Sequence, residues 1–284
     1  MSVTTHERPG VYSEYDASSV VQGRQGRKMV GMAAIHATAP AGVPQTVTSY
    51  EGALIAFGST GGQDMTELIR LALKNGAAGV VAVPVADEEG YEAAFAALAA
   101  MDDIGVVICD SVDREVQQSL RDSAAAASAA RRERIAVAAG GAGETVTELL
   151  ERAKALNSER VVLVAPGGTD EEGEAVSGLS LAAAVAGAIA GTTDPALPLG
   201  GAVLSGLYGL ETTYGDNDLD LLIRGGVTPA ERTGGVTSVV RGVTTRTTTD
   251  GTADTTWREL STILVVDDVI PGIRSALRSK FHRA

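Results

Sequence analysis

From Lys28 onward, short uninterrupted apolar runs alternate with longer segments in which apolar residues return every three or four positions. The first pattern is that of buried strands and the second that of helices with one buried face. Residues 29–35, 79–83, 104–109, 135–138 and 161–164 are almost continuous Val, Ile and Ala, as parallel strands covered on both faces must be. Between and after them the spacing predicts helices over 65–74, 91–101, 116–132, 145–156 and 179–190. Right-handed crossovers joining such units give a three-layer α/β core with a mainly parallel sheet.

The pattern breaks at both ends. Residues 1–27 are polar, carry Pro9, Gly10, Gly23 and Gly26, and show no period long enough to bury a face, so they read as an arm. Its apolar spot, Val11 and Tyr12, can pair as a short extended piece with another surface. After Pro195 glycines interrupt the apolar run and regular βαβ winding is expected to stop. Residues 236–247 are rich in Val and Thr, Asp250-Gly251 offers a turn, and 257–266 reads as a returning strand. A basic amphipathic helix with Pro271 near its first turn closes the chain. The expected organisation is an arm (1–27), an α/β core (28–235) and a small α+β C-terminal domain (236–284).

Composition narrows the function. With 44% hydrophobic but only 4% aromatic residues, the core must be built from small and β-branched side chains. A net charge of -13 argues against nucleic-acid binding, which needs clustered Lys and Arg. One cysteine, Cys109, excludes an intrachain disulfide and any cysteine-based metal cluster. No basic stretch followed by an apolar run opens the sequence, and the 179–190 segment falls short of the roughly 20 apolar residues of a membrane span.

The inventory for chemistry is thin. The three histidines, His6, His36 and His282, include no metal-binding i, i+4 pair. His36, at a strand end, is either a general base or a hydrogen-bonded strand-end side chain, the second being favoured. Cys109 stands at the carboxyl end of a strand, where α/β proteins place functional groups. No activating base for it is visible, so a small buried hydrophobe is the preferred reading. The Gly-rich turn of 138–150 could cradle a phosphate. It lacks the Gly-Lys-Ser/Thr ending of a P-loop, and a tight turn with Glu144 or Thr145 near the helix cap is preferred. Ser205 has no elbow motif or partner, and Asp216, Asn217, Asp218 and Asp220 lack the glycine and terminal glutamate of a calcium loop. No cofactor or metal is indicated. A small-molecule or nucleotide-binding α/β enzyme using Cys109 and the 140–145 turn remains the alternative.

Four segments carry a resemblance. The opening ERPGVYSEY (7–15), SYEGALIAFG (49–58), LETTYGDNDLDLLIRGGVTP (210–229), and VVRGVTT (239–245) with WRELSTILVVDDVIPGIRSALRSKF (257–281) resemble the tail sheath proteins of contractile phages, tailocins and related injection systems. This resemblance implies a subtilisin-like core without the protease triad, and a virion or injection-system particle assembled in the bacterial host cytoplasm. The implied partners are further copies in stacked hexameric rings, a tail tube protein, and baseplate and terminator proteins, with no nucleic acid and no membrane insertion. Arms exchanged between subunits would add strands to a neighbour's sheet. On this basis Pro9, Gly10, Val11 and Tyr12 dock the arm, Gly23 and Gly26 are hinges, and Val239, Val240, Val243, Trp257, Leu264 and Val266 belong to the acceptor sheet. Sheath chains usually continue past the final helix, so a C-terminal arm is expected beyond Ala284.

Overall fold

A computed structural model describes residues 28–281, leaving the six named arm residues and His282 outside the described part. All five apolar runs are strands. In chain order the first half contains β1 (Met29–Ile35), β2 (Gln45–Val47), α1 (Tyr50–Phe57), α2 (Met65–Lys74), β3 (Val80–Val85), α3 (Tyr91–Ala99), β4 (Ile104–Cys109), α4 (Arg114–Ala129), β5 (Ile135–Ala139), α5 (Val146–Leu156) and β6 (Val161–Ala165). The second half contains β7 (Gly168–Thr169), β8 (Ala175–Val176), α6 (Leu179–Gly191), β9 (Val203–Leu204), β10 (Gly209–Leu210), α7 (Asp216–Arg224), β11 (Val227–Thr233), β12 (Val236–Val239), β13 (Thr248–Thr249), β14 (Thr252–Ala253) and α8 (Leu260–Phe281).

Nine strands form one sheet in the order β2-β3-β1-β4-β5-β6-β11-β12-β9. The central six, from β3 to β11, run parallel, and β2, β12 and β9 each pair antiparallel to their inner neighbour. Alternate residues feed two cores, as strand geometry requires. Val30, Met32 and Ala34 of β1 join a cluster with α1, α2 and α6. Ala33 packs on the other side, among Tyr91 and Phe95 of α3, Leu120 of α4 and Leu149 of α5. The result is the expected three-layer, mainly parallel α/β architecture.

Helix α6 is apolar on every side and buried along nearly its whole length, as a central helix should be. It lies directly on α2 because Gly187 has no side chain: a Cβ there would stand 2.2 Å from the Ala72 carbonyl oxygen. The second layer is fixed by Arg134, whose side chain is almost wholly buried. Its guanidinium donates to Leu98 O and Met101 O, both at 2.8 Å, and to Arg132 O at 3.2 Å, closing the carbonyl end of α3.

Three sequence readings are corrected. Winding does not stop after Pro195, because β11 returns parallel to β6 after α7. Residues 236–247 and 257–266 form no hairpin. Instead β12 pairs with β11, the only ladder contact between the two segments is the Val243–Glu259 bridge, and 260–281 is one helix. Thus Trp257 is a loop residue, while Leu264 and Val266 are helical. Pro271 lies inside α8 rather than in the first turn of a later helix.

The Thr-rich stretch after β12 is held by side chains in place of a ladder. Thr228 Oγ1 accepts from Val243 N and donates to Val243 O, both at 2.9 Å. Thr245 Oγ1 does the same for Ser158 at 3.0 and 3.1 Å. The Asp250-Gly251 turn is present, closing the two-residue strands β13 and β14.

Candidate functional site

Open α/β sheets hold ligands beyond the carboxyl ends of their strands, where the strand order reverses. Here that point lies between β1 and β4, since β3 lies on one side of β1 and all later parallel strands lie on the other. Cys109 and Asp110 close β4, and His36 follows β1. Every one of these groups is engaged internally.

His36 Nδ1 accepts from the Ala39 and Thr38 amides at 2.9 and 3.3 Å. This assigns the proton to Nε2, which donates to Phe57 O at 2.8 Å. The side chain ties the end of β1 to the end of α1. Asp110 accepts the Ile35 amide at 2.8 Å on Oδ2 and the Tyr91 hydroxyl on Oδ1. Burial nonetheless pushes its carboxyl above the usual carboxylate range, and burial beside that carboxylate raises Tyr91 too. The Cys109 thiol is buried and pushed up to about 12 by loss of solvent. A thiol so far from ionising is no nucleophile near neutral pH, which agrees with the small-hydrophobe reading.

The Gly-rich turn between β5 and α5 has the backbone of an anion cradle, and the protein's own carboxylates fill it. Glu144 accepts the Gly141 amide at 3.0 Å. Glu211 accepts Gly143 N at 2.8 Å with one oxygen and Gly167 N at 2.9 Å with the other. Thr145 caps α5 in a reciprocal box with Glu148. Arg152, its side chain only 6% exposed, pairs with Glu144 and donates to Val112 O and Gln117 Oε1 at 2.7 and 3.1 Å. Gln117 in turn donates to Ala139 O at 2.8 Å. A buried charge with this many partners is satisfied. On the opposite face of the sheet Asp64 caps α2 through Glu67 N at 2.7 Å and gathers Thr60 N at 2.6 Å.

Ser205 is held through its backbone. The Ser205 amide donates to Asn75 Oδ1 at 2.8 Å and its carbonyl accepts from Asn75 Nδ2 at 2.9 Å. Asp216 and Asp218 stand in the first turn of α7, where acids complement the helix dipole. Among the described residues no group of three or more His, Cys, Asp or Glu could hold a metal ion, and no helix is long and apolar enough to cross a membrane.

Of the residues assigned to an acceptor sheet, Val239 is buried in β12 and pairs with Ala230. Val240 N donates to Pro229 O at 2.9 Å, and Val243 is bound to Thr228. Trp257 is about one third exposed, and its carbonyl accepts from Thr244 Oγ1 at 2.7 Å. Glu211, Arg152 and Gln117, which organise the carboxyl edge, were not singled out by sequence reasoning.

The chain's own side chains thus occupy the backbone amides at the carboxyl edge of a three-layer, mainly parallel α/β body, and the comparisons with known proteins give the class of that body. The sheath tail protein of Desulfitobacterium hafniense is 14% identical, with a TM-score of 0.72 over 96% of this chain and 83% of that one. The contracted helical sheath of the anti-feeding prophage is 19% identical, with a TM-score of 0.68 over 96% of this chain and 77% of that one. The sheath tail protein of Listeria innocua is 10% identical, with a TM-score of 0.69 over 88% and 77%. No curated protein sequence matches. Residues 85–245 match the phage tail sheath protein central domain, and the chain belongs to that family.

Proposed function

We propose that this chain is a structural sheath subunit that polymerises as stacked hexameric rings around a tail tube and contracts to drive the tube through a target envelope. The observation that carries this reading is the family match over 85–245, which runs from the end of β3 through β11 and β12. Two features of the body support it. The backbone amides of its carboxyl edge are taken by Glu144, Glu211, Asp64 and Asp110, which favours a structural role over a catalytic one. On α8, Val269, Ile273 and Leu277 stand 48%, 53% and 50% exposed at a spacing of four, which places an apolar stripe in water along one helix face, the kind of patch that an assembly covers.

The mechanism requires bistability. Two packings of one subunit surface differ in free energy, with the contracted one lower and a barrier between them. Summed over a lattice, a few kcal/mol or so per subunit drives the stroke without a nucleotide. The rigid unit is the three-layer body, while Pro9, Gly10, Val11 and Tyr12 dock the arm and Gly23 and Gly26 absorb the backbone change. Baseplate and tube proteins are the further partners, in a virion tail or injection-system particle formed in the host cytoplasm.

The test is negative-stain microscopy of the protein expressed together with its tube protein. Helical tubes or stacked rings are expected. A small soluble species that never forms rings or tubes under any of these conditions would overturn the reading.

A further inference from the structure

Away from the carboxyl edge, helix α8 and the amino ends of β1, β4 and β5 enclose a cleft of about 530 Å3, lined in part by Lys28, Asp102, Asp103, Arg131 and Asp267. Asp267 reaches it from α8 with a side chain only 3% exposed. Its Oδ2 takes the Arg160 Nη1 donor at 2.5 Å. Its Oδ1 is buried and has no hydrogen-bond partner among the described residues. Buried carboxylate oxygens are rarely left without a donor, and burial here pushes the Asp267 carboxyl above its usual range despite Arg160.

The nearby cations do not supply the missing donor. Arg132 is held by Asp102 and Arg274 by Glu133, each at 2.5 Å. Lys28 attracts Asp267 electrostatically, but its methylene stem lies across Gly105, where a Cβ would meet Lys28 Cδ at 2.2 Å. Its own amide is fixed to Ala190 O at 2.9 Å. Asp103 adds a second carboxylate with no ion pair among the described residues, while Lys28 and Arg131 offer donors. An occupant that satisfies all of these carries a cation for the two acids and carbonyl oxygens for the two bases, which is the chemistry of a peptide with a basic side chain.

We infer that the cleft is a docking site for a lysine or arginine side chain presented by a polypeptide segment, the cation pairing with Asp103 and offsetting the under-compensated charge of the buried Asp267 carboxylate beside it, while main-chain carbonyls meet Lys28 and Arg131. In a self-assembling protein the supplier is a second copy of this chain. That assignment rests on the sheath reading, whereas the cleft chemistry does not.

Ligand-observed saturation-transfer NMR with acetyl-Gly-Arg-Gly-amide tests the site in the full chain. Saturable binding is expected, weakened at least tenfold when the peptide arginine is replaced by glutamine and also in Asp103→Asn, a surface change that should leave the melting temperature unmoved. Asp267→Asn should weaken binding as well, with circular dichroism checking its fold. No saturable signal, or equal signals from the two peptides or from Asp103→Asn, would overturn the proposal. Peptide binding by a protein that forms no tubes would uphold the cleft and remove the second copy as its supplier.

Discussion

Replacing Gly187 with valine is expected to cost the protein about 3 kcal/mol or more of its stability. Glycine inside a helix is unfavourable by about 1 kcal/mol relative to alanine, so its presence in the middle of α6 has to be explained by packing. The explanation is the α2–α6 contact. A Cβ at Gly187 would lie 2.2 Å from Ala72 O and 2.9 Å from its carbonyl carbon, both backbone atoms that cannot turn aside. One helical turn on, a Cβ at Gly191 would meet the backbone of Gly76 at 2.9 Å. Helix α6 cannot retreat, since it is buried on its other sides by the sheet and the rest of the core. Overpacking of this kind reaches or exceeds about 3 kcal/mol, out of a total stability of order 5–15 kcal/mol. Urea unfolding should show a collapsed midpoint or no folded baseline. Gly272→Ala in α8, where nothing lies within 4 Å of the added Cβ, should be neutral or slightly stabilising. An unchanged midpoint for Gly187→Val would contradict the packing described.

Arg134→Met should be the next most damaging change. Methionine nearly preserves volume and removes only the guanidinium, which answers Leu98 O and Met101 O at and just past the end of α3 and Arg132 O in the connection from α4 to β5. Leu98 O keeps the Met101 amide at 3.1 Å, but Met101 O and Arg132 O lose the donor that meets them, at about 1–3 kcal/mol each as an upper limit, and the favourable placement of a cation at a helix carbonyl end is lost with them. A net loss of about 3 kcal/mol or more is expected in chemical denaturation. Arg134→Lys should recover only part of it, because one ammonium cannot reproduce the fork. The effect should not depend on pH between 5 and 9, since the arginine remains charged throughout. Stability within experimental error of the unaltered protein would contradict this role.

How much of this was legible in the sequence follows from which interactions are local. The five parallel strands announce themselves because both faces are buried, leaving no polar residue to break the run. Thr145 and Glu148 show their capping box in the spacing alone. Residues 257–266 mislead for the opposite reason. Ile263, Leu264, Val265 and Val266 look like a strand, while the helical spacing of Leu260, Ile263 and Asp267 is hidden by an acid at a buried position. That acid is tolerated only because Arg160, distant in sequence, meets it. Glu211 is similarly invisible, since the amides it fills belong to glycines 68 and 44 residues away. Winding was expected to end after Pro195 because glycines punctuate 200–209, yet they serve tight connections on the way to one more parallel strand. The resemblance carried by 210–229 covers Glu211 and α7, and so touched the organising segment without revealing what its glutamate does.

The central physical claim is that the backbone amides at the carboxyl edge of the sheet, where related architectures hold ligands, are occupied by the chain's own carboxylates. Its most direct test is titration of isotope-labelled protein with ATP and with NAD, followed at the backbone amides of Gly141, Gly143 and Gly167. The account predicts that these resonances stay where they are through millimolar ligand. Saturable shifts at these three amides would contradict it.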